Sequence, residues 1–286
     1  MTKKITDMLE FVEHEENVNI FFACEAGSRA WGFPSTDSDY DVRFIYVRPL
    51  YDYAAIKPFR DVIDIEDECV KEIKRKHPEL DFSGWDLLKA LRLLYKSNPP
   101  LFEWLHSPTC YKFAYEIAEK MIQASKTFYS PRASLFHYYH MADGNYREYL
   151  KGAEVWTKKY LYVLRPILAC MFIHQKYEKE TFQNFVIPPV DFNTLVHNVS
   201  IKPTVKNNIL NLLAIKRRGS EMGQGPADPI LNDFIATQLD NFNALRKQKF
   251  GNLPGNFPHT PTKLENLFKW AITKIEMESK LERIQL

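Results

Sequence analysis

At about residue 100 the hydrophobic period of the chain changes, and that change most restricts what it can fold into. Before it, short runs of strand character alternate with helical ones; after it, apolar residues recur at helical spacing between prolines. After a helical start over 4–15, residues 18–24 read as a strand that stops at Gly27-Ser28. Residues 41–47 (DVRFIYV) read as a second strand, 62–66 (VIDIE) as a third and 80–82 as a weaker fourth. Ser83 with Asp86 three residues on predicts a capped helix to Lys96, closed by Asn98-Pro99-Pro100. Apolar-faced helices are predicted over 111–125, 132–150, 153–177, 203–217, 228–248 and 261–282. The expectation is a compact α/β unit followed by a helical domain.

Composition removes several function classes. With 286 residues, 45% hydrophobic and 26% charged, the chain suits one large domain or two, and it is too apolar for disorder. Its 10 glycines form no cluster of the kind a P-loop or dinucleotide fold needs. The start MTKKITDMLEF lacks a signal-peptide core, and the longest apolar stretch, 160–173, is too short for a bilayer and contains Arg165 and Pro166. A cytoplasmic protein with no membrane partner is expected. Cys24, Cys69, Cys110 and Cys170 are too widely spaced for a zinc site and read as reduced thiols. Charge is unevenly shared: residues 1–100 hold 14 Lys and Arg against 19 Asp and Glu, and the remainder 24 against 17. An acidic half suits metal ions, and a basic half suits phosphates or nucleic acid.

The chemistry concentrates in Glu25 to Val47, EAGSRAWGFPSTDSDYDVRFIYV. Side chains alternate on a strand, so Asp39 and Asp41 project from one face with Tyr40 opposite. Adjacent carboxylates repel unless a cation sits between them, and hard oxygen donors suit Mg²⁺ that keeps its waters and takes substrate phosphates. Gly27 allows close backbone approach to an anion, and Ser28 offers a hydroxyl and an N–H to a triphosphate. The same residue types also serve ordinary turns.

Gly27-Ser28, followed after ten residues by Asp39-x-Asp41 at the head of a strand, resembles the signature of the DNA polymerase β superfamily of nucleotidyltransferases. The strings GSRAWGF, SDYDVRFIY, GWDLLKALRLLYKSNPPLFEWL and KYLYVLRPILA resemble its RNA-repair group. The resemblance covers most of residues 20–175. It implies a polymerase-β-like catalytic domain with a mixed sheet over 1–110, and an all-helical domain over 111–286 that closes the cleft. It also implies transfer of a nucleoside monophosphate from an NTP to a hydroxyl, with release of pyrophosphate, by two Mg²⁺ ions or Mn²⁺ in their place.

The superfamily pattern calls for a third metal-binding carboxylate on a later strand. Asp81 matches best, with Asp64 and Glu66 on one face of the preceding strand, and then Asp86, as rivals. For the nucleotide, the resemblance points to Gly27, Ser28, Arg29, Lys159 and Tyr160, with Lys158, Arg165 and Trp31 nearby. Lys96 and Asn98 have a helix-end explanation. As acceptor it points to RNA, a tRNA or a broken RNA end, with a small molecule or protein hydroxyl as the alternative and non-catalytic binding as another. His137 and His140 have no third ligand at suitable spacing. Lys216-Arg217-Arg218 reads as a basic helix end or a nucleic-acid contact. Which NTP is used and the oligomeric state are not encoded in these patterns.

Overall fold

The computed structural model describes residues 1–179, 186–218, 223–248 and 260–285. Helix α1 (Thr2–Glu16) buries Ile5, Leu9 and Val12, a single face by helical spacing, and ends at Asn17 in the left-handed conformation. Then follow β1 (Asn19–Glu25), a short turn of helix α2 (Gly27–Ala30), and β2 (Tyr40–Val47). A 3₁₀ turn (Leu50–Ala54) leads to β3 (Val62–Ile63), α3 (Glu68–Lys76), β4 (Leu80–Asp86), α4 (Leu87–Tyr95), α5 (Pro99–Leu105) and β5 (Cys110–Phe113). The five strands form one mixed sheet in the order β3-β4-β2-β1-β5, in which β2 and β4 are parallel and the other pairs antiparallel.

Period-two alternation divides the sheet into two faces. Val42, Phe44 and Tyr46 of β2 meet Leu80 and Phe82 of β4 under α1 and α3, while Ile45 and Val47 face α4 and α5. Asp41 and Arg43 continue this second face beyond its apolar core, at the end of β2 where the helices stop covering it.

Several elements depart from expectation. The third strand has only two residues, because Asp64 leaves it for a turn closed by Asp67 N–H to Asp64 O at 2.9 Å. Strand β4 runs four residues past 82, so Ser83 is paired opposite Arg43 and cannot cap a helix; Asp86 caps α4 instead, its Oδ1 accepting from Leu88 N–H at 2.7 Å. Asn98-Pro99-Pro100 starts a helix as well as ending one: Asn98 Oδ1 accepts from Leu101 N–H, with proline in the first turn. Residues 111–113, expected to begin a helix, belong instead to the outer strand β5.

The second half contains α6 (Tyr115–Phe128), α7 (Pro131–Tyr149), β6 (Glu154–Trp156), α8 (Lys159–Lys179), α9 (Phe192–His197), α10 (Pro203–Arg217), β7 (Gln224–Pro226), α11 (Pro229–Gln248) and α12 (Thr262–Gln285). It is not all-helical, since β6 and β7 pair antiparallel; a three-residue strand and Gln-Gly-Pro are too short and too atypical to leave a period-two signal. The expected boundary at 110 falls at the first residue of β5. Leu264, Ala271, Ile272 and Ile275 of α12 return to the core that contains Phe21, Leu87 and Ile117.

A second core surrounds α7 and α8, and Phe33 from the loop after α2 is buried within it, edge-on to Phe192 and Tyr162. Burial of such a ring contributes about 1.5–3 kcal/mol. This contact ties the loop that leads to Asp39 to the helical half.

Candidate active site

Strand β1 delivers the chain to Gly27, where φ is +57°, a conformation that favours glycine. Space demands glycine as well, since a Cβ there would lie 1.9 Å from Asp41 Oδ2. Ala26 N–H donates to Asp41 O at 2.8 Å, so the Gly27-Ser28 turn is fastened to the strand that carries the carboxylate. Ser28 is buried in the turn, and its carbonyl accepts from Phe33 N–H at 3.0 Å.

The parallel register sets Asp41 directly opposite Asp81. Arg43 donates from one Nη2 to Asp41 Oδ1 at 3.0 Å and to Asp81 Oδ2 at 2.9 Å, and from Nη1 to the carbonyls of Asp81 and Val42. That pairing uses one oxygen of each carboxylate. Asp39 sits one residue before β2, its Oδ2 3.5 Å from Lys74 Nζ. Burial pushes the Asp41 carboxyl above its ordinary range, Arg43 opposes the shift, and the charges of Asp81 and Asp39 add to it. Asp41 is 26% exposed, Asp81 45% and Asp39 54%, so solvent and a ligand can reach all three. Among the described residues no three His, Cys, Asp or Glu side chains close on one point. The oxygen donors fit a hard cation whose shell is completed by water and substrate phosphate, and they do not form an all-protein cage.

Behind this corner, buried Glu25 accepts from Asp41 N–H at 2.8 Å through Oε1 and from the Tyr111 hydroxyl through Oε2. Burial raises the Glu25 carboxyl, and those two hydrogen bonds oppose the rise. The residue was not singled out from sequence, although a carboxylate ending the apolar run VNIFFAC was the signal. Arg43 was also missed, although period two puts it on the face of Asp39 and Asp41.

The expected nucleotide residues divide between two places. Arg29 donates to the carbonyls of Asp39 (3.1 Å) and Ser38 (2.8 Å) and lies 3.6 Å over the Tyr40 ring, so its guanidinium shapes the loop that presents Asp39. Lys159, at the start of α8, lies 4.1 Å from the Tyr149 ring and 5.3 Å from that of Tyr162. Burial raises the Tyr162 phenol, and the Asp41 charge adds to the rise, which puts this face of α8 beside the carboxylates. Tyr160 points elsewhere: its buried hydroxyl donates to Asn232 Oδ1 at 2.8 Å and accepts from Asp228 N–H at 2.9 Å, pinning α8 to α11.

Arg165 is buried in a joint between the halves. It pairs with Glu103 at 2.8 Å, while Glu103 also accepts from Trp31 Nε1 and the Tyr138 hydroxyl, and the guanidinium lies 4.5 Å over Trp31. Lys216 and Arg217 reach back to the loop between α2 and β2, Lys216 to Ser35 Oγ at 3.2 Å and Arg217 to Gly32 O at 2.6 Å; Arg218 follows as the residue that ends α10.

Asp86 caps its helix under Tyr53, and Asp64 and Glu66 are held by Arg60 at 2.7 and 3.2 Å, so none of the three rivals joins Asp41. Lys96 and Asn98 sit at the end of α4 and the start of α5, and burial lowers the His137 imidazole within α7. No helix among the described residues is long and apolar enough to cross a membrane.

The chain is 42% identical over 248 residues to YcgL, an uncharacterized protein of Bacillus subtilis strain 168, which covers 87% of this chain and 89% of that protein. The pattern of the RNA repair pathway DNA polymerase β family, RlaP, matches residues 1–255, from α1 to beyond α11, and the chain belongs to that family.

Proposed function

We propose that this protein transfers a nucleoside monophosphate from an NTP to a hydroxyl on an RNA end, releasing pyrophosphate. The observation that carries this reading is the apposition of Asp41 and Asp81 on adjacent parallel strands, against a Gly27-Ser28 turn whose geometry only glycine satisfies. Mg²⁺ or Mn²⁺ held by Asp41 and Asp81, with Asp39 at the strand entry, would supply charge neutralisation of the phosphates and a lowered pKa for the acceptor hydroxyl. The protein's own groups supply position. Gly27 brings backbone close to the triphosphate, and Lys159 adds a cation from the helical half. Arg43 holds the two carboxylates in register, and Glu25 fixes the Asp41 backbone. Arg29 keeps the Asp39 loop in place. The family supports RNA as the acceptor, and the excess of Lys and Arg after residue 100 is consistent with it.

When each α-labelled NTP is incubated in turn with the protein, Mg²⁺ or Mn²⁺ and total RNA, at least one should label RNA, and with Asp39→Ala/Asp41→Ala none should. Label appearing on protein or a small molecule, without the steep salt dependence of nucleic-acid binding, would replace RNA as the acceptor. Absence of transfer under every condition, with NTP bound only weakly, would remove the catalytic reading.

A further inference from the structure

Of the five tryptophans Trp156 alone is exposed, at 42%. Strand β6 buries Val155 and turns Glu154 and Trp156 outward, so the indole is displayed by the strand's alternation. Its backbone is fixed on both sides: Trp156 is paired with Gln224 of β7, Thr157 N–H donates to Gly223 O at 3.1 Å, and Ala227 N–H donates to Ala153 O at 3.0 Å. Lys158 brings its Nζ to 5.8 Å from the ring centroid. An apolar ring held rigidly in water beside a cation has the two elements that single-stranded nucleic acid uses, a π-face for a base and a charge for the next phosphate.

The platform adjoins the carboxylate corner. Lys158 precedes Lys159, whose ammonium lies by Tyr162. Tyr162 packs edge-on to Phe33, in the loop that leads to Asp39, and Lys216 reaches Ser35 Oγ of the same loop at 3.2 Å. Lys158, Lys159 and Lys216 therefore bring positive charge to that loop, and it complements a polyanion longer than one triphosphate.

We propose that Trp156 and Lys158 form a stacking site for a base of the single-stranded RNA acceptor, with the neighbouring phosphate paired to Lys158. This rests on the nucleotidyltransferase reading for its purpose, but the binding itself does not. The base lies flat on the indole, and its identity is unrestricted because every base offers a π-face.

A fluorescein-labelled ten-nucleotide single-stranded RNA, titrated without metal or NTP, tests it. Trp156→Ala should weaken binding roughly five- to hundredfold, and Trp156→Phe should retain most of the affinity. Lys158→Ala should reduce the slope of log K against log salt by about 0.7, the contribution of one phosphate on a single strand, whereas Trp156→Ala should leave the slope unchanged. Thermal stabilisation by Mg-NTP should be the same in Trp156→Ala and Trp156→Phe as in the wild type. RNA affinity within twofold of wild type for Trp156→Ala overturns the proposal, as does an effect confined to NTP affinity, which would assign the ring to the nucleotide's base. Trp156-dependent RNA binding without NMP transfer leaves the platform standing and removes the catalytic reading. Transfer that is indifferent to Trp156, with RNA binding equally indifferent, does the reverse.

Discussion

Arg43 and Arg165 each set a guanidinium among acidic side chains, yet their surroundings differ in charge balance and in access to water. Arg43 lies between Asp41 and Asp81, with Asp39 beside Lys74 at the strand entry, and the three carboxylates are open to solvent. Arg165 has one carboxylate partner, Glu103, itself shared with Trp31 and Tyr138, and only 4% of the Arg165 side chain is exposed. The enclosed pair is balanced, because an uncompensated charge there would carry a large desolvation cost. In the open cluster one guanidinium serves two carboxylates, and burial already penalises Asp41. A balanced, enclosed arginine marks a joint, whereas an unbalanced, accessible one marks a place where a further cation can arrive.

The largest expected effect sharpens the open side of that contrast. On the proposed mechanism Asp41→Asn should lower transfer on the order of 10³-fold or more, since it removes a carboxylate proposed to hold the metal, while apo stability stays level or rises as repulsion from Asp81 and Asp39 is relieved. Asp81→Asn should bind Mg-NTP with little change and fail in turnover. A large loss of stability in Asp41→Asn, measured by urea unfolding, would move Asp41 into the class of Glu103.

On the enclosed side, Glu103→Ala strands a buried guanidinium and should cost about 3–5 kcal/mol by the same measurement. A loss below 1 kcal/mol would show that Arg165 finds water or another partner, and the joint would not differ in kind from the site.

Asp86 is a buried carboxylate apart from both clusters, and it makes a pH prediction. Burial raises its carboxyl to about 6, against hydrogen bonds from Tyr53 and Leu88 N–H, whereas an unfolded Asp titrates near about 3.9. Between these values the native state binds a proton that the unfolded state does not, so this group's contribution to stability falls as pH rises through about 4 to 6. It amounts to about 3 kcal/mol over the window. Asp86→Asn keeps a capping acceptor and should remove that segment from the difference between the two stability–pH curves. Parallel curves would assign the protonation elsewhere.

The smallest effect is expected at the exposed cluster around Arg60. Asp64→Asn and Glu66→Gln should each change stability by less than about 1 kcal/mol and leave transfer unaltered, because solvent already screens those pairs. Loss of transfer in either, with Asp81→Asn active, would make the third carboxylate one of these two.

The sequence revealed the parts of the site whose chemistry demands particular residue types close together along the chain. Gly27-Ser28 and Asp39-x-Asp41 were visible because a short loop brings them into one segment, and Asp81 was visible through the family pattern. That Asp81 could meet Asp41 across a sheet was also legible, but the register that sets the two directly opposite was not, since a parallel register depends on the intervening crossover and not on local alternation. Glu103 was hidden because Trp31, Tyr138 and Arg165 all lie far from it in sequence, and an isolated Glu in a helix looks like surface. Asn98-Pro99-Pro100 was misread since the residues that stop one helix also start the next.

The return of α12 to the sheet unit has a consequence for how the protein is made. Leu264, Ala271, Ile272 and Ile275 cover apolar surface beside α4 and α6 that has already left the ribosome. At typical elongation rates that surface waits on the order of ten seconds for its cover. Synthesis order therefore leaves the sheet-bearing half, which emerges before the helical one, incomplete until α12 follows, and favours a chaperone's company for the nascent chain during that interval.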